Sequence, residues 1–283
     1  MKISDLNLKS PSQRSQYPYF QQTPASTRRV LDSNEIGSLN VGESALSANY
    51  NSLQASYRKN FTRGFSILSS YTWSKALGVV GATGEGSNGP RNPNNYHLDY
   101  GPQTFDIPHN FVTSFLWNIP GGKHSQSALL RNMLSGWQLT GIYTVRSGTP
   151  LTLRSGLDNS RTGIGGDTPD VTGNWRVSGD RSKASQIQQW FNTAAFRQND
   201  IGTFGSLGLG VLRNPGFWNW DLAGSREFSL GETRRLQLRG SLYNALNHAN
   251  LGTPNATLTS SAFGRITSAT DPRVVELSLR VVF

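Results

Sequence analysis

The chain has 283 residues, of which 35% are hydrophobic, 30 are glycine and none is cysteine. The lack of cysteine excludes a disulfide framework and a thiolate metal site. No stretch approaches the roughly eighteen consecutive apolar residues that a membrane-spanning helix needs. The net charge of +10 would suit a nucleic-acid partner, but Arg and Lys are scattered without a dense basic stripe, so no nucleic-acid partner is predicted.

The first 48 residues are polar and irregular and contain Pro11, Pro18 and Pro24. We predict a loop there, with room for a short helix. The opening residues Met1–Lys9 lack the apolar segment of a secretory signal. If the protein is exported, we therefore expect its true amino terminus to lie upstream.

From residue 49 onwards, apolar and polar residues alternate in separate segments. Side chains of a β-strand point alternately to opposite faces, so each segment predicts a strand with one apolar face. Thr62-Arg63-Gly64 between the first two segments predicts a tight turn, because Gly64 can adopt positive φ. The seven predicted strands cover residues 49–61, 65–75, 109–119, 134–146, 218–228, 234–247 and 273–283.

The last strand shows the pattern most clearly. Glu276, Ser278 and Arg280 lie on one face, and the other face carries Val275, Leu277, Leu279, Val281 and the terminal Phe283. A strand of about ten residues with one apolar face is what a lipid-spanning β-barrel requires. The last strand of a soluble sandwich alternates in the same way, so this strand alone does not decide between the two.

The lengths of the connections favour the barrel. Short connections (62–64, 120–133 and 229–233) alternate with long ones (76–108, 147–217 and 248–272), so in an antiparallel meander all long connections lie at one end. Bacterial outer-membrane barrels have this asymmetry of short periplasmic turns and long external loops. We therefore predict an all-β, up-and-down antiparallel meander over residues 49–283 that forms an open part of a large transmembrane barrel. Residues 1–48 would be an external loop of the parent barrel.

Aromatic residues and strand parity add two more expectations. The aromatic residues predict two girdles of rings, one at each membrane interface. One girdle lies beside the long loops (Tyr71, Trp73, Phe111, Trp218, Trp220), and the other lies beside the short turns (Phe61, Phe65, Trp117, Trp137, Phe228, Phe283). The parity predicts that Leu53, Ile67, Phe115, Leu139, Leu222, Leu238 and Leu279 face lipid. It predicts that Gln54, Thr140, Asp221, Arg239 and Glu276 face the lumen.

Motifs for catalysis, metal binding or cofactor binding are not recognisable. His97, His109, His124 and His248 are far apart and lack metal-ligand spacing. Asp158-Asn-Ser-Arg-Thr-Gly163 loosely resembles a calcium loop, but Pro169 stands where the bidentate Glu belongs. We predict no metal site, no cofactor and no enzymatic activity.

Short motifs recur in a fixed order along nearly the whole chain. They are Tyr17-Pro-Tyr-Phe20, Asn49-Tyr-Asn-Ser-Leu-Gln-Ala-Ser56, Ser69-Ser-Tyr-Thr-Trp-Ser-Lys75, Gly136-Trp-Gln-Leu-Thr-Gly141, Trp190-Phe-Asn-Thr-Ala-Ala-Phe196, Gly202-Thr-Phe-Gly205, Arg213-Asn-Pro-Gly-Phe-Trp-Asn-Trp-Asp221 and Asn244-Ala-Leu-Asn-His248, followed by the final strand. In these motifs the chain resembles the TonB-dependent outer-membrane receptors of the Oar-like group. The resemblance is limited to the carboxy-terminal part of such a receptor, and Ala245-Leu246 departs from the Leu-Phe that is frequent in the family.

The resemblance implies energised uptake of a large or scarce solute across the outer membrane of a Gram-negative-type bacterium. It implies a barrel of about 22 strands with an amino-terminal plug and a TonB box, which we expect upstream of these residues. The implied partners are outer-membrane lipid, the upstream plug and barrel strands, TonB, and the barrel assembly machinery that recognises a terminal aromatic such as Phe283.

The candidate ligand surface is the long loop 147–217, with Trp175, Trp190 and Phe191. For each single ring, packing within the loop is the alternative. Two other functions remain open at this point: a passive porin or surface-adhesin barrel, and a soluble carbohydrate-binding β-sandwich.

Overall fold

The computed structural model describes residues 47–61, 64–79, 90–92, 95–120, 135–162 and 166–283. The predicted irregular segment 1–48 therefore lies outside the described residues, apart from its last two. The elements in chain order are β1 (Ala48–Asn60), β2 (Phe65–Val79), β3 (Tyr100–Pro102), β4 (His109–Asn118), β5 (Trp137–Arg146), β6 (Pro150–Leu151), β7 (Asp170–Val171), α1 (Lys183–Gln188), β8 (Phe196–Arg197), β9 (Leu212–Arg213), β10 (Phe217–Ser229), β11 (Arg235–Tyr243) and β12 (Val274–Val282).

Seven long strands form one antiparallel sheet in the order β1-β2-β4-β5-β10-β11-β12, and the short β3 pairs with β2. Each long strand is therefore hydrogen-bonded to the long strand before it and the long strand after it in the chain. The predicted meander is confirmed, without Greek-key crossings in this sheet. Within the described residues the sheet is not closed, because β1 and β12 are its two ends.

The short connections lie at one end of the sheet. Phe61 N–H donates to the Phe65 carbonyl at 2.7 Å across the β1–β2 turn, where Gly64 has φ of 72°. Leu230 N–H donates to the Arg234 carbonyl at 2.9 Å across the β10–β11 turn, where Gly231 has φ of 104°. Glycine adopts such left-handed conformations without a steric penalty, which is why these turns can be tight.

Three strand bounds differ from the sequence predictions by three residues or more. β5 begins at Trp137 instead of residue 134. β2 continues four residues beyond the predicted end, because Ala76–Gly78 still pair with β1 and Leu77–Val79 pair with β3. β11 ends at Tyr243 instead of residue 247. Asn244 follows with φ of 51°, and its backbone N–H donates to Asp221 Oδ1 at 2.8 Å instead of continuing the ladder.

The long connections carry structure of their own. Connection 147–216 contains the helix α1 and two small ribbons, β6 paired with β9 and β7 paired with β8. Helix α1 begins at the N-cap Ser182, whose hydroxyl accepts from the Ser185 N–H. Among the described residues, no helix is long and apolar enough to cross a membrane.

The apolar core lies in these connections, while the long strands form a sheet with side chains open on both faces. Its buried members come from connection 147–216, and Ala256, Leu258 and Phe263 of connection 248–272 pack against them. We call residues 147–216 and 248–272 together the loop domain. The buried members are Leu151, Leu153, Phe191, Ala195, Phe196, Leu207 and Leu212.

Candidate functional site

Strand register places the apolar positions of all seven long strands on one face of the sheet. In a row across the sheet, Phe115 pairs with Gly141, Gly141 with Leu222, Leu222 with Leu242, and Leu242 with Val275. Because directly paired residues point to the same side, this row defines an apolar face. The strand pairings confirm that the seven residues predicted to lie on one face do so: Leu53, Ile67, Phe115, Leu139, Leu222, Leu238 and Leu279.

The apolar face is open to its surroundings. The exposed fraction is 63% for Leu53, 78% for Leu277 and 67% for Leu279, and the terminal Phe283 is 88% exposed. Val275 and Val281 lie on the same face of β12. A contiguous exposed apolar surface of this extent indicates contact with lipid or another protein.

A row of rings crosses the apolar face near the long connections. Tyr143 contacts Phe111, Trp218 and Trp220, with ring centroids 6.5, 6.5 and 6.1 Å apart. Tyr71 pairs with Phe111 across the β2–β4 ladder and its hydroxyl bonds His109 Nδ1 at 2.8 Å. Trp73 pairs with His109. Sequence reasoning missed Tyr143, which joins the predicted members of this girdle.

A second row of rings lies near the short turns. Phe65 pairs with Trp117, Trp117 with Leu139, and Trp137 with Arg226. The Arg226 guanidinium lies 4.5 Å from the centroid of the Phe228 ring, and Lys59 Nζ lies 4.9 Å from that of Phe61. An aromatic ring capped by a cation suits the boundary between hydrocarbon and headgroups. The interfacial role of both rows stays a prediction.

The opposite face of the sheet is mainly polar. Gln54, Thr140, Asp221, Arg239 and Glu276 share it by register, as predicted. It holds an open depression of about 480 Å³ lined by Arg58, Thr140, Asp221 and Arg239 together with the apolar Leu68 and Ile142. Such a mixed wall suits the water-filled interior of a large barrel.

Trp175, Trp190 and Phe191, the predicted ligand-binding rings, meet in the core of the loop domain. Phe191 is only 2% exposed, and its ring lies 5.7 Å from that of Phe196 and 5.1 Å from that of Phe263. Trp175 and Trp190 are half-buried against the same core. The contacts are those of the packing alternative, and a ligand role for the three rings stays a prediction.

An ion pair and a hydrogen bond, each involving a buried side chain, attach the loop domain to the segment between β2 and β4. Arg213 bonds the Asp106 carboxylate, and Asp106 Oδ1 also accepts from the Ala76 N–H of β2 at 2.6 Å. Arg91 Nε donates to Asp99 Oδ1 at 2.5 Å, and Arg91 Nη1 donates to Thr168 Oγ1 in the loop domain at 2.9 Å. Nothing in the sequence indicated these pairings, because the partners lie in irregular segments without a repeating pattern, and Arg213 and Asp106 are 107 positions apart.

Asp167 is a third buried carboxylate that sequence reasoning missed, and it lies in the loop domain. Burial raises the pKa of its carboxyl group, the hydrogen bonds from Ser160 and Asn199 oppose this shift, and the nearby Asp158 adds to it. The only signal in the sequence was the loose calcium-loop pattern that begins at Asp158.

The histidines do not come together. His97 lies exposed in a 3₁₀ turn, His109 begins β4, and the His248 ring stacks 3.9 Å from that of Trp218. His124 lies outside the described residues. The part of the chain that the structure describes holds no group of three or more His, Cys, Asp or Glu side chains suited to a metal ion.

Comparison with known proteins identifies the fold family. A family model for an outer membrane beta barrel domain matches residues 2–276 of the chain. No protein of curated function matches it. The match covers nearly the whole chain and agrees with the antiparallel meander, the continuous apolar face and the two rows of rings. The chain therefore belongs to the outer membrane β-barrel domain family and is located in the bacterial outer membrane.

Proposed function

We propose that the chain is the carboxy-terminal barrel part of a TonB-dependent receptor that takes up a large or scarce solute. The observation that carries this proposal is the open seven-stranded sheet, whose end strands β1 and β12 each leave an edge unpaired in the described residues. In hydrocarbon every backbone N–H and C=O group needs a partner, so a barrel wall must close. Strands beyond those described complete the wall, as in the large barrels that the motifs resemble.

The loop domain supports the same function. A receptor captures its solute outside the membrane before transport, and it needs a folded surface for this task. Residues 147–216 and 248–272 form such a body with its own apolar core. The Arg213–Asp106 ion pair and the Arg91–Thr168 hydrogen bond attach it to the segment between β2 and β4. Trp175 is half-buried, with the Arg176 guanidinium 5.2 Å from the centroid of its ring. We propose the outer surface of the loop domain as the capture surface.

Two measurements on the full-length protein test this proposal. We expect the purified periplasmic domain of TonB to bind the full-length protein in detergent. We also expect no steady ion conductance in planar bilayers, because the plug implied by the resemblance would fill the lumen. Stable open channels without TonB binding would instead identify a passive porin.

The second candidate function is the passive porin or adhesin barrel. The polar face with its depression of about 480 Å³ favours it, because a polar lumen wall is also what a diffusion channel needs. An adhesin would be distinguished from both transporters by host or matrix binding without any solute flux.

A further inference from the structure

In the loop domain, Ser160 forms hydrogen bonds with Asp158, Thr162 and Asp167. Ser160 Oγ lies 3.2 Å from Asp158 Oδ1 and 3.2 Å from Thr162 Oγ1. The Ser160 backbone N–H donates to Asp167 Oδ2 at 2.7 Å, and the Thr162 N–H donates to Asp158 Oδ1 at 3.2 Å. Ser160 therefore links the two carboxylates, which come from positions nine residues apart.

The hydrogen bonding of the Asp167 carboxylate indicates that one of its oxygens binds a ligand. Asp167 is 1% exposed, and its Oδ2 accepts from Ser160 and from Asn199 Nδ2 at 3.3 Å. Its Oδ1 is buried and has no hydrogen-bond partner among the residues that the structure describes. Among the described residues no Arg or Lys forms an ion pair with Asp167. The nearby Arg154 guanidinium bonds the Gly166 carbonyl instead, although the charge of Asp167 acts to raise the pKa of Arg154. A buried carboxylate oxygen without a partner is strongly unfavourable unless an ion, a water or a proton satisfies it.

The surroundings favour a hard cation. Asp158 and Asp167 are close enough for the charge of Asp158 to raise the pKa of Asp167 in addition to the effect of burial. A divalent cation between two such carboxylates would remove both the repulsion and the burial cost. Carboxylate and hydroxyl oxygens are ligands that calcium accepts at about 2.3–2.6 Å, which leaves neighbouring ligand oxygens roughly 3 Å apart.

We propose that Asp158, Ser160, Thr162 and Asp167 form a calcium site in the external loop domain, with Asp167 Oδ1 as a ligand. The sequence pattern placed a Glu ligand at position 169, which is Pro169, and so predicted no site. Asp167 supplies the second carboxylate instead. The irregular oxygen set suits calcium better than magnesium, which demands near-octahedral geometry. The site is independent of the proposed transport role.

The experiment is a calcium titration of the full-length protein in detergent by isothermal calorimetry, with magnesium chloride as the competing probe. We expect calcium to bind with a dissociation constant of about 10⁻⁴–10⁻³ M, which is usual for extracellular modules. Asp167→Asn should weaken the binding at least tenfold. Asp200→Asn is the matched control, because Asp200 is an exposed carboxylate of the same loop domain, and it should bind calcium like the wild type.

A second readout keeps the proposal testable if Asp167→Asn fails to fold. In outer-membrane vesicles, about 10 mM calcium (tenfold above the weakest expected dissociation constant) should protect the wild-type loop domain from external protease. A chelator should remove that protection, and magnesium should not restore it. Equal cleavage of the wild type with calcium and with chelator would overturn the proposal. Equal calcium affinity in the wild type and a folded Asp167→Asn would also overturn the proposal, because the Asp167 carboxylate would then not be a calcium ligand.

Discussion

At the scale of single residues, we expect two neighbours in one strand to differ sharply in how well they tolerate a charged substitution. Leu238 and Gln237 lie side by side near the middle of β11, but Leu238 pairs with Leu279 on the apolar face and Gln237 pairs with Arg280 on the polar face. A charge on the apolar face must enter hydrocarbon, whereas a charge on the polar face meets the lumen. Burial alone does not separate the two, since both side chains are half-exposed.

We predict that Leu238→Arg lowers the free energy of unfolding by about 2–4 kcal/mol, the cost of an arginine on the lipid face near the midplane. Gln237→Arg is the matched control and should cost far less. Denaturant titration of the full-length protein refolded into lipid bilayers measures both. Equal losses for the two variants would contradict the assignment of the faces.

The buried guanidinium of Arg91 is a second residue with a large expected effect. It is 4% exposed, and it donates to Asp99, Thr168 and the Leu98 carbonyl. Removal of one partner from a buried ion pair leaves the other charge without compensation.

We therefore predict that Arg91→Met destabilises the folded loop segments by about 3–5 kcal/mol. Hydrogen exchange of residues 90–108 and 147–216 in the full-length protein should rise accordingly. Arg197→Met removes an exposed pair with Asp170 and Asp200 and should leave exchange nearly unchanged, because solvent screens such pairs. A wild-type exchange pattern in Arg91→Met would show that the buried pair contributes little.

At the scale of elements, the loop domain depends on a close backbone contact just beyond the end of β5. Thr149 and Asn214 form a backbone hydrogen bond of 2.9 Å, so the two ends of connection 147–216 run side by side. A Cβ atom placed on Gly148 would lie 1.7 Å from the Asn214 carbonyl oxygen. A glycine is required there because the backbone of the neighbouring segment leaves no room for a side chain.

We predict that Gly148→Ala separates the two ends and destabilises the loop domain by about 1–3 kcal/mol, the usual cost of overpacking. Gly179→Ala lies in the same connection, where an added Cβ meets nothing within 4 Å, and serves as the control. Protease cleavage of intact cells expressing each variant should increase for Gly148→Ala alone. If both variants resist cleavage equally, the close contact is not needed for the loop fold.

At the scale of the whole molecule, the two free edges determine what the seven strands can do alone. β1 and β12 each have neighbours on one side only in the described residues. Each unsatisfied edge group costs several kcal/mol in hydrocarbon. An exposed edge of this length also invites pairing with other chains.

We predict that residues 1–283 expressed alone aggregate or remain unfolded, and that the full-length protein forms a folded barrel. Heat-modifiable migration in gels and conductance in planar bilayers measure the two products. A monodisperse, ion-conducting barrel formed by residues 1–283 alone would overturn this prediction and the proposed dependence on further strands.

The sequence by itself determined the number, order and facing of the long strands. Alternation with a period of two is a local property, and it fixes which side chains share a face once neighbouring strands pair in chain order. The sequence also showed that short and long connections alternate, and this alternation predicted that all long loops lie at one end of the sheet. The ends of the strands were harder to predict from the sequence. β11 ends before Asn244, whose backbone N–H bonds Asp221 of the neighbouring strand β10, and the sequence does not show such a contact.

Only the tertiary structure decided what the long loops contain. Arg91 and Asp99, Asp106 and Arg213, and the oxygens around Asp167 come together through the folding of segments without any repeating pattern. The same is true of Phe191, for which the sequence left ligand binding and loop packing open, and which the fold buries against Phe196 and Phe263. Such pairings depend on the three-dimensional path of the chain, because no local period links residues that meet across loops.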